Sequence, residues 1–576
     1  MKARVKSTPK ELSVSRRDFL KGSVLTAALP ALPVGAATPR VAGIRGSNAT
    51  SDADSYDVVV YGGTASGVLA AIAATSEGAR VVLLEPGKHV GGMVSGGLSR
   101  TDMERQEHLI GGLAGEFFTR VARHYNRSWS PASGNPDDWT FEPHVAEDTF
   151  NSWLKEAGTT VRLEHRVETV EKQGNRIANL KVENGIEIKG KVFIDASYEG
   201  DLMARSGVSY VVGREGRVEF GEPFAGRRET AMFDDEQIQV PVPAYDDEGH
   251  LLPLMSHGDP GVPGEADHKI QEYNYRVCLT SRKDNQVPFA PPANYDPNRY
   301  ILAGLIWQGM HQRGMKPDFP LSPLPNDKYD ANTPWGGIGT NFTGESWSYP
   351  DADYKRRQEI WDAHLNYIKG FYYFLANDPS VPQPWRDEIR KYGLPKDEFL
   401  DTDHWPHQLY VREGRRMRGE YVMKQSDLQD NRTKFDSIGM GGYNMDILNV
   451  QRIPVLVTYF PTGTKYIAMN EGYMSVPVEP YQIPYRALLP LYAECTNLLV
   501  PVCVSATHVA YGSLRIESQY MLMGHAAGVA AAMAARDGCA VHQVGIQALQ
   551  DKLRRQRQIL ATDQLSPVIN LKRMRD

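Results

Sequence analysis

The stretch from Tyr56 to Glu85 limits the possible folds more than any other. It reads Tyr-Asp-Val-Val-Val-Tyr-Gly62-Gly63-Thr64-Ala-Ser66-Gly67, then an alanine-rich run from Val68 to Ser76, then Gly78-Ala-Arg-Val-Val-Leu-Leu-Glu85. An apolar β-branched run, a glycine turn, a helix-forming run and a second apolar run closed by an acid predict strand, turn, helix and parallel strand. Gly62 permits the turn, Gly67 lets helix and strand pack closely, and the free amides of the helix start attract a pyrophosphate. Glu85, 18 residues after Gly67, stands where a carboxylate accepts hydrogen bonds from adenosine ribose hydroxyls. Thr64 occupies the middle-glycine position of the G-x-G-x-x-G register, where its side chain either crowds a phosphate or donates its hydroxyl to one. A plain parallel-sheet turn without a nucleotide is the competing reading of the glycines alone, and the flanking strands and Glu85 weigh against it.

The first 37 residues read as a processing signal. Ser15-Arg16-Arg17-Asp18-Phe19-Leu20-Lys21 precedes an uncharged run from Gly22 to Ala37 that contains Pro30 and Pro33 and ends in small residues. That pattern predicts export of a folded chain by the twin-arginine machinery to the periplasm or beyond, with no stable membrane span. Removing a leader with seven basic and two acidic residues takes the net charge from −6 to about −11, so a nucleic-acid partner is excluded. Cys278, Cys495, Cys503 and Cys539 form no CxxC pair, so no metal site is expected from them. They read as buried small hydrophobes, with one disulfide possible.

A second glycine cluster, His89-Val-Gly91-Gly92-Met93-Val-Ser95-Gly96-Gly97, brings backbone close to something flat. Export adds that a soluble nicotinamide would find no pool to exchange with outside the cytoplasm, whereas FAD bound before export stays. The passage Thr160 to Lys191 alternates like β-structure, and Val192-Phe-Ile194-Asp195-Ala196-Ser197 followed by Glu199-Gly200-Asp201-Leu202 reads as a returning strand and turn. Near the C-terminus, Ser505-Ala-Thr-His508 leads through Gly512-Ser513-Leu-Arg515 to a small-residue run, Gly524 to Ala535. That run is either tight helix packing or the chain returning to complete the nucleotide domain, with Gly528 beside the cofactor and a helix start favouring charge on reduced flavin.

Five motifs carry a resemblance: Tyr-Gly-Gly-Thr-x-Ser-Gly, His-Val-Gly-Gly-Met, Ile-Asp-Ala-Ser-x-x-Gly-Asp-Leu, Tyr-Val-Arg-Glu-Gly-Arg-Arg and Ser-x-Thr-His-x-Ala-x-x-Ser-x-Arg. Together, over about residues 55 to 540, the chain resembles the bacterial FAD-dependent oxidoreductases often labelled xanthan lyase. The resemblance implies an α/β fold: a Rossmann-type, glutathione-reductase-like FAD/NAD(P)-binding domain with an inserted mixed α+β substrate domain. It implies FAD along the Gly91-Gly92-Met93 stretch and Val167 facing the adenine. Gly62, Gly63, Thr64, Ser66, Gly67, Glu85, Asp195, Ala196, Gly200 and Asp201 complete the expected cofactor contacts. A His common in the family is Leu448 here. The expected divisions are a leader (1–37), a linker (38–54), the FAD domain in two parts (55–210 and 481–545), a substrate domain (211–480) and a tail (546–576).

The substrate region holds Trp307, Trp335, Trp347, Trp361, Trp385 and Trp405, which read as sugar-stacking platforms or as core, and an amphipathic helix over Glu359 to Asn377. Oxidation of a C–H bond by flavin needs a base and positive groups. His508 is the candidate base and Arg515 its partner, by a loose likeness to the succinate dehydrogenase and fumarate reductase group; a structural histidine is the alternative. Arg412 and Arg415, among four arginines in seven residues, suit a carboxylate or polyhydroxylated ligand, or else an ion-pair network. His89 is a candidate for covalent flavin attachment. The expected activity is hydride transfer from a small polar substrate, of carbohydrate or hydroxy acid type, to flavin N5, with an unidentified electron acceptor. Alkene reduction, or a polysaccharide lyase or carbohydrate-binding protein with a vestigial nucleotide fold, are the alternatives.

Overall fold

The computed structural model describes residues 54–565 apart from 102, 104–105, 132–134, 231–235, 318, 333–335 and 460–462. The leader, most of the linker, Trp335 and residues 566–576 lie outside the described residues. The strand–helix–strand expectation is met by β1 (Ser55–Tyr61), α1 (Ala65–Ser76) and β2 (Val81–Leu84). Val58 to Tyr61 and all of β2 are buried, as parallel strands covered on both faces must be. After α2 (Gly112–His124) and α3 (Pro143–Ala157), β3 (Thr160–Arg162) adds parallel to β2. The chain then runs through an antiparallel meander, β4 (Val167–Gln173), β5 (Arg176–Val182) and β6 (Glu187–Asp195), and β6 pairs parallel with β1. The sheet order is β3-β2-β1-β6-β5-β4. A short helix, α4 (Asp201–Arg205), follows β6.

The intervening region folds around several small antiparallel units and one long helix, α5 (Tyr354–Asn377), which starts five residues before its expected position because the Asp353 carboxylate caps it at the Arg356 N–H. Trp307 and Trp385 are fully buried, stacked on each other with centroids 6.0 Å apart, and Trp307 meets Phe371 of α5 edge-on. These two tryptophans are therefore core. The chain returns to the first sheet at β7 (Leu498–Leu499), parallel to the end of β6, and continues into α6 (His508–Leu514) and α7 (Glu517–Asp537).

Helix α7 is buried along its length from Glu517 to Ala535, and it lies on α1 through two glycines. A Cβ on Gly524 would stand 2.2 Å from the Ser66 carbonyl oxygen, and one on Gly528 would stand 2.2 Å from that of Ala70. Gly528 thus corrects the expectation of cofactor contact: with Gly524 it is where the two helices touch, and of Ser66 it is the carbonyl that lies in this contact. Gly528→Ala is expected to cost about 1–3 kcal/mol by overpacking, seen as a lower thermal midpoint; an unchanged midpoint would contradict the close approach. All four cysteines are free, with Cys278, Cys495 and Cys503 buried, so they act as small hydrophobes. No helix among the described residues is long and apolar enough to cross a membrane.

Candidate active site

At the end of β1 the chain turns through Gly62, whose φ of +96° and whose Cβ position, 2.5 Å from the Ser197 amide nitrogen, leave glycine as the residue that fits. Gly67 is as tightly held: a Cβ there would lie 1.9 Å from the Gly62 carbonyl oxygen. Thr64 does not offer its hydroxyl to a phosphate. It caps α1, accepting from the Gly67 N–H at 3.2 Å and donating to the Ala196 carbonyl at 2.7 Å. Ala196 is thereby packed under the turn, its own N–H donating to the Tyr61 carbonyl. At the mouth of the helix the amides of Ala65 and Ser66 have no acceptor among the described residues.

The second glycine cluster lies alongside. The Gly91 N–H donates to the Gly63 carbonyl at 2.6 Å, and both Gly91 and Gly92 have positive φ. A Cβ on Gly92 would collide with the Tyr198 hydroxyl at 2.5 Å. The Met93 N–H donates to that hydroxyl at 2.8 Å. Two glycine-rich backbones therefore flank one cleft, whose wall includes Gly62, Thr64, Glu85, Gly92, Glu199 and Asp201. The Glu85 carboxylate accepts from the Gly63 and Gly87 amides at 2.6 and 2.5 Å, and burial pushes its pKa up to about 7.

Beyond the glycines, the returning strand serves the cleft indirectly. Asp195 corrects its expected role: its carboxylate accepts from the Ser197 N–H and hydroxyl and from the Met203 N–H, tying β6 to α4, and burial raises its pKa to about 6. Gly200 is the left-handed N-cap of α4. Asp201 does reach the cleft, clasped by Arg357 at 2.6 Å and Arg415 at 2.8 Å. Val167 is fully buried; its N–H donates to the Tyr61 hydroxyl and its carbonyl accepts from Tyr354, so two tyrosines occupy the main chain expected to face adenine. The neighbouring Arg166 lines the cleft instead.

The expected catalytic residues form a buried layer outside the cleft wall. His508, first residue of α6, shares its Nδ1 with the Glu413 carboxylate at 2.8 Å. Although burial pushes Glu413 up, His508 and Arg416 together hold its carboxyl below the usual range. Arg515 pairs with Asp446 at 2.7 Å and donates to the Tyr410 hydroxyl at 3.2 Å. Arg415 is spent on Asp201, Asp351 and the Glu199 carbonyl, an ion-pair role that corrects the ligand-binding expectation. Among the described residues Arg412 bonds only to the Glu272 carbonyl and the Asn341 side-chain oxygen. His89 lines the cleft, stacked on His407 at 3.9 Å and bridged to Glu147 and Asp401.

A model of the FAD dependent oxidoreductase family matches residues 57–553. The chain belongs to that family. A twin-arginine signal matches residues 13–33, so this FAD-dependent oxidoreductase is exported, periplasmic or secreted. No curated protein matches it significantly. Among solved structures, the OxyS anhydrotetracycline hydroxylase from Streptomyces rimosus is 16% identical over 31% of this chain and 41% of that one, with a TM-score of 0.22. THI4 of Thermovibrio ammonificans is 23% identical over 28% of this chain and 66% of that one, with a TM-score of 0.22. The matched part spans less than two thirds of either protein, and scores this low carry no argument.

The cleft of this flavoprotein fits FAD. The two open amides of α1 suit a pyrophosphate, and Glu85 suits a ribose. Arg166 in the wall supplies positive charge. Sequence reasoning missed Tyr198, Tyr349, Tyr354 and Arg357 in that wall, which also holds Trp361, one of the tryptophans read as a stacking platform or as core. The first turn of α5, which supplies Tyr354 and Arg357, lies before the Glu359 start expected from the amphipathic pattern.

Tyr198 leads to a further buried acid. Its hydroxyl donates to Glu517 Oε1 at 2.6 Å, while Oε2 has no partner among the described residues, and burial pushes this carboxyl up to about 8. Between the ordinary value of 4.5 and about 8 the folded chain holds a proton that the unfolded chain has released. That contribution to stability is complete below the window and is lost as pH rises through it. Glu517→Gln, which keeps a neutral polar group, is expected to flatten the decline of the thermal midpoint across this window, by at most about 1.4 kcal/mol per pH unit. An unaltered slope would contradict a protonated Glu517.

Proposed function

We propose that this exported oxidoreductase removes a hydride from a carbon of a small polar substrate, of carbohydrate or hydroxy acid type, and passes it to flavin N5. The observation that carries the reading is the His508–Glu413 pair. A buried carboxylate fixed by Arg416 at 2.8 Å and Gln271 at 3.1 Å accepts from Nδ1 of a buried imidazole. That bond assigns the proton to Nδ1 and leaves Nε2 as an acceptor. FAD, when bound, supplies the hydride acceptor.

His508 takes the hydroxyl proton at Nε2 as the C–H bond opens, and Glu413 stabilises the resulting imidazolium without itself being protonated. Its position follows from the chain's return: Thr507 caps α6 by accepting from the Ala510 N–H, and the Glu215 carboxylate accepts from the His508 N–H, so the imidazole leaves the helix start in one direction. Export favours a self-contained chemistry, in which the cofactor is loaded before translocation and remains bound. Anaerobic mixing with a panel of polyols, sugars and hydroxy acids is expected to bleach the flavin with at least one of them. A flavin that none of them reduces, but that oxidises readily from its dithionite-reduced state with an activated alkene, would overturn the direction of transfer.

A further inference from the structure

Segment Tyr410 to Arg416 sends its side chains to different places, and one of those places has an excess of positive charge. Tyr410 and Asn274 are partners in an antiparallel bridge, so their side chains share a face. The Arg412 guanidinium lies over the Tyr410 ring at 4.2 Å and its Nε donates to the Glu272 carbonyl, which places it on the same face. Arg515 closes the group from the other side, donating to the Tyr410 hydroxyl.

The charges of this group do not cancel. Arg515 has Asp446 and Arg276 has Asp330. Arg412 is 4% exposed and has no carboxylate at ion-pair distance among the described residues. Arg452, 3% exposed, is likewise bonded only to neutral oxygens, those of Asn470, Leu254, Gly337 and Thr343. Glu272 is the carboxylate nearest to serve both, and its oxygens are held by Asn341 and Thr343 at 2.6 and 2.5 Å. Two buried guanidiniums against one buried carboxylate leave at least one positive charge uncompensated, an unfavourable arrangement unless an anion arrives. Burial pushes the Arg412 pKa down, and Arg515 and Arg276 add to this against the opposing pull of Tyr410 and Glu272.

A second observation is independent of charge. Asn274 is fully buried, and neither its Nδ2 nor its Oδ1 has a hydrogen-bond partner among the described residues. A buried amide with all of its bonds unmade is costly, and it lies on the face that carries Tyr410 and Arg412. The chain links the group to the cleft: Gln408, two residues before Tyr410, lines it.

We infer that Arg412, with Arg515, Tyr410 and Asn274, holds the carboxylate of the substrate, which is accordingly a hydroxy acid and not a neutral carbohydrate. The inference rests on the hydride-transfer reading for the word substrate, but the anion site itself does not. Arg412 neutralises the carboxylate, Asn274 Nδ2 donates to it, and the pairing of Arg515 with Asp446 keeps that guanidinium in place beside Tyr410.

The test separates binding from turnover by using oxalate, which has no C–H bond to oxidise, and its neutral amide oxamide. Each is titrated into the purified holoenzyme at constant ionic strength, read by the flavin difference spectrum and the thermal midpoint. Oxalate is expected to saturate both signals and oxamide to give neither. Arg412→Met is expected to weaken oxalate binding about 10- to 100-fold, the loss of one charge-assisted contact. Asn274→Ala, which leaves every charge in place, is expected to weaken it several-fold and stands in should the arginine variant fail to fold. Equal responses to oxalate and oxamide, or oxalate binding untouched by both variants, would overturn the anion site. Bleaching by sorbitol but by neither gluconate nor lactate would overturn the hydroxy acid assignment while leaving hydride transfer intact. Saturable, Arg412-dependent oxalate binding with no bleaching by any substrate would sink hydride transfer and leave the site standing.

Discussion

A Gly67→Val chain is expected to fold, if at all, without flavin. The reason is steric and local. A Cβ at this position lies 1.9 Å from the Gly62 carbonyl oxygen and 3.2 Å from the Ala196 Cβ, and the obstacle is backbone that no rotamer change can remove. Relief requires α1 to lift from β1, which opens the Gly62 turn, releases the Thr64 cap and carries the Ala65 and Ser66 amides away from the cleft. The structural cost exceeds the ordinary overpacking range and reaches about 4 kcal/mol or more. Cofactor content of the purified variant, read as the ratio of flavin to protein absorbance, is expected to fall to a small fraction of the wild-type value. Gly78→Ala is the contrasting substitution: nothing lies within 4 Å of a Cβ there, so only its φ of +88° is strained and flavin should be kept. A fully loaded Gly67→Val protein would discredit the turn as the pyrophosphate site.

His508→Ala is expected to retain flavin and lose about 10²- to 10⁴-fold in the rate of anaerobic bleaching, the usual contribution of a general base. His508 does not line the cleft, so cofactor content is the control that separates lost chemistry from lost structure. Glu413→Gln sharpens the test. The amide would still be polar, but it removes the charge that stabilises an imidazolium and frees the choice of ring tautomer. Its bleaching rate should fall between those of the wild type and His508→Ala. Because Glu413 also pairs with Arg416, itself held by Glu215 at 2.6 Å, some loss of thermal stability is expected in Glu413→Gln. Bleaching by His508→Ala at the wild-type rate would remove His508 from the mechanism.

The parts legible in the sequence were those whose partners are near in the chain or whose geometry admits one residue type. The strand, turn and helix from Tyr56 to Glu85 announced themselves because glycine spacing and apolar runs are local signals. The role of Thr64 was misjudged for an equally local reason: a threonine before a helix is first of all an N-cap, and here it satisfies the Gly67 amide. Gly524 and Gly528 fitted two readings, because a small residue is equally useful against a cofactor and against a helix. Only the position of the Ser66 and Ala70 carbonyls decided for packing.

The far wall of the cleft was not legible at all. Arg357 meets Asp201 across 156 residues and Tyr61 meets Tyr354 across 293, and no periodicity in one segment encodes its partner in another. The run Tyr410 to Arg418 was read as four close arginines that suit a carboxylate or polyhydroxylated ligand or else form an ion-pair network. In the structure its arginines part company: Arg415 to Asp201, Arg416 to Glu413 and Glu215, Arg418 to Glu215 and Glu219, and Arg412 alone to neutral oxygens. Composition could show that such density exists, but which arginine keeps an unspent charge depends on carboxylates brought in from elsewhere.

The decisive observation is the visible absorption of the exported protein as isolated, followed by anaerobic addition of a reducing hydroxy acid. Protein that carries the two bands of oxidised flavin at about one per chain, and loses the lower-energy band on that addition, is the expected result. Correctly folded protein that is colourless and stays colourless after reconstitution with FAD would contradict it.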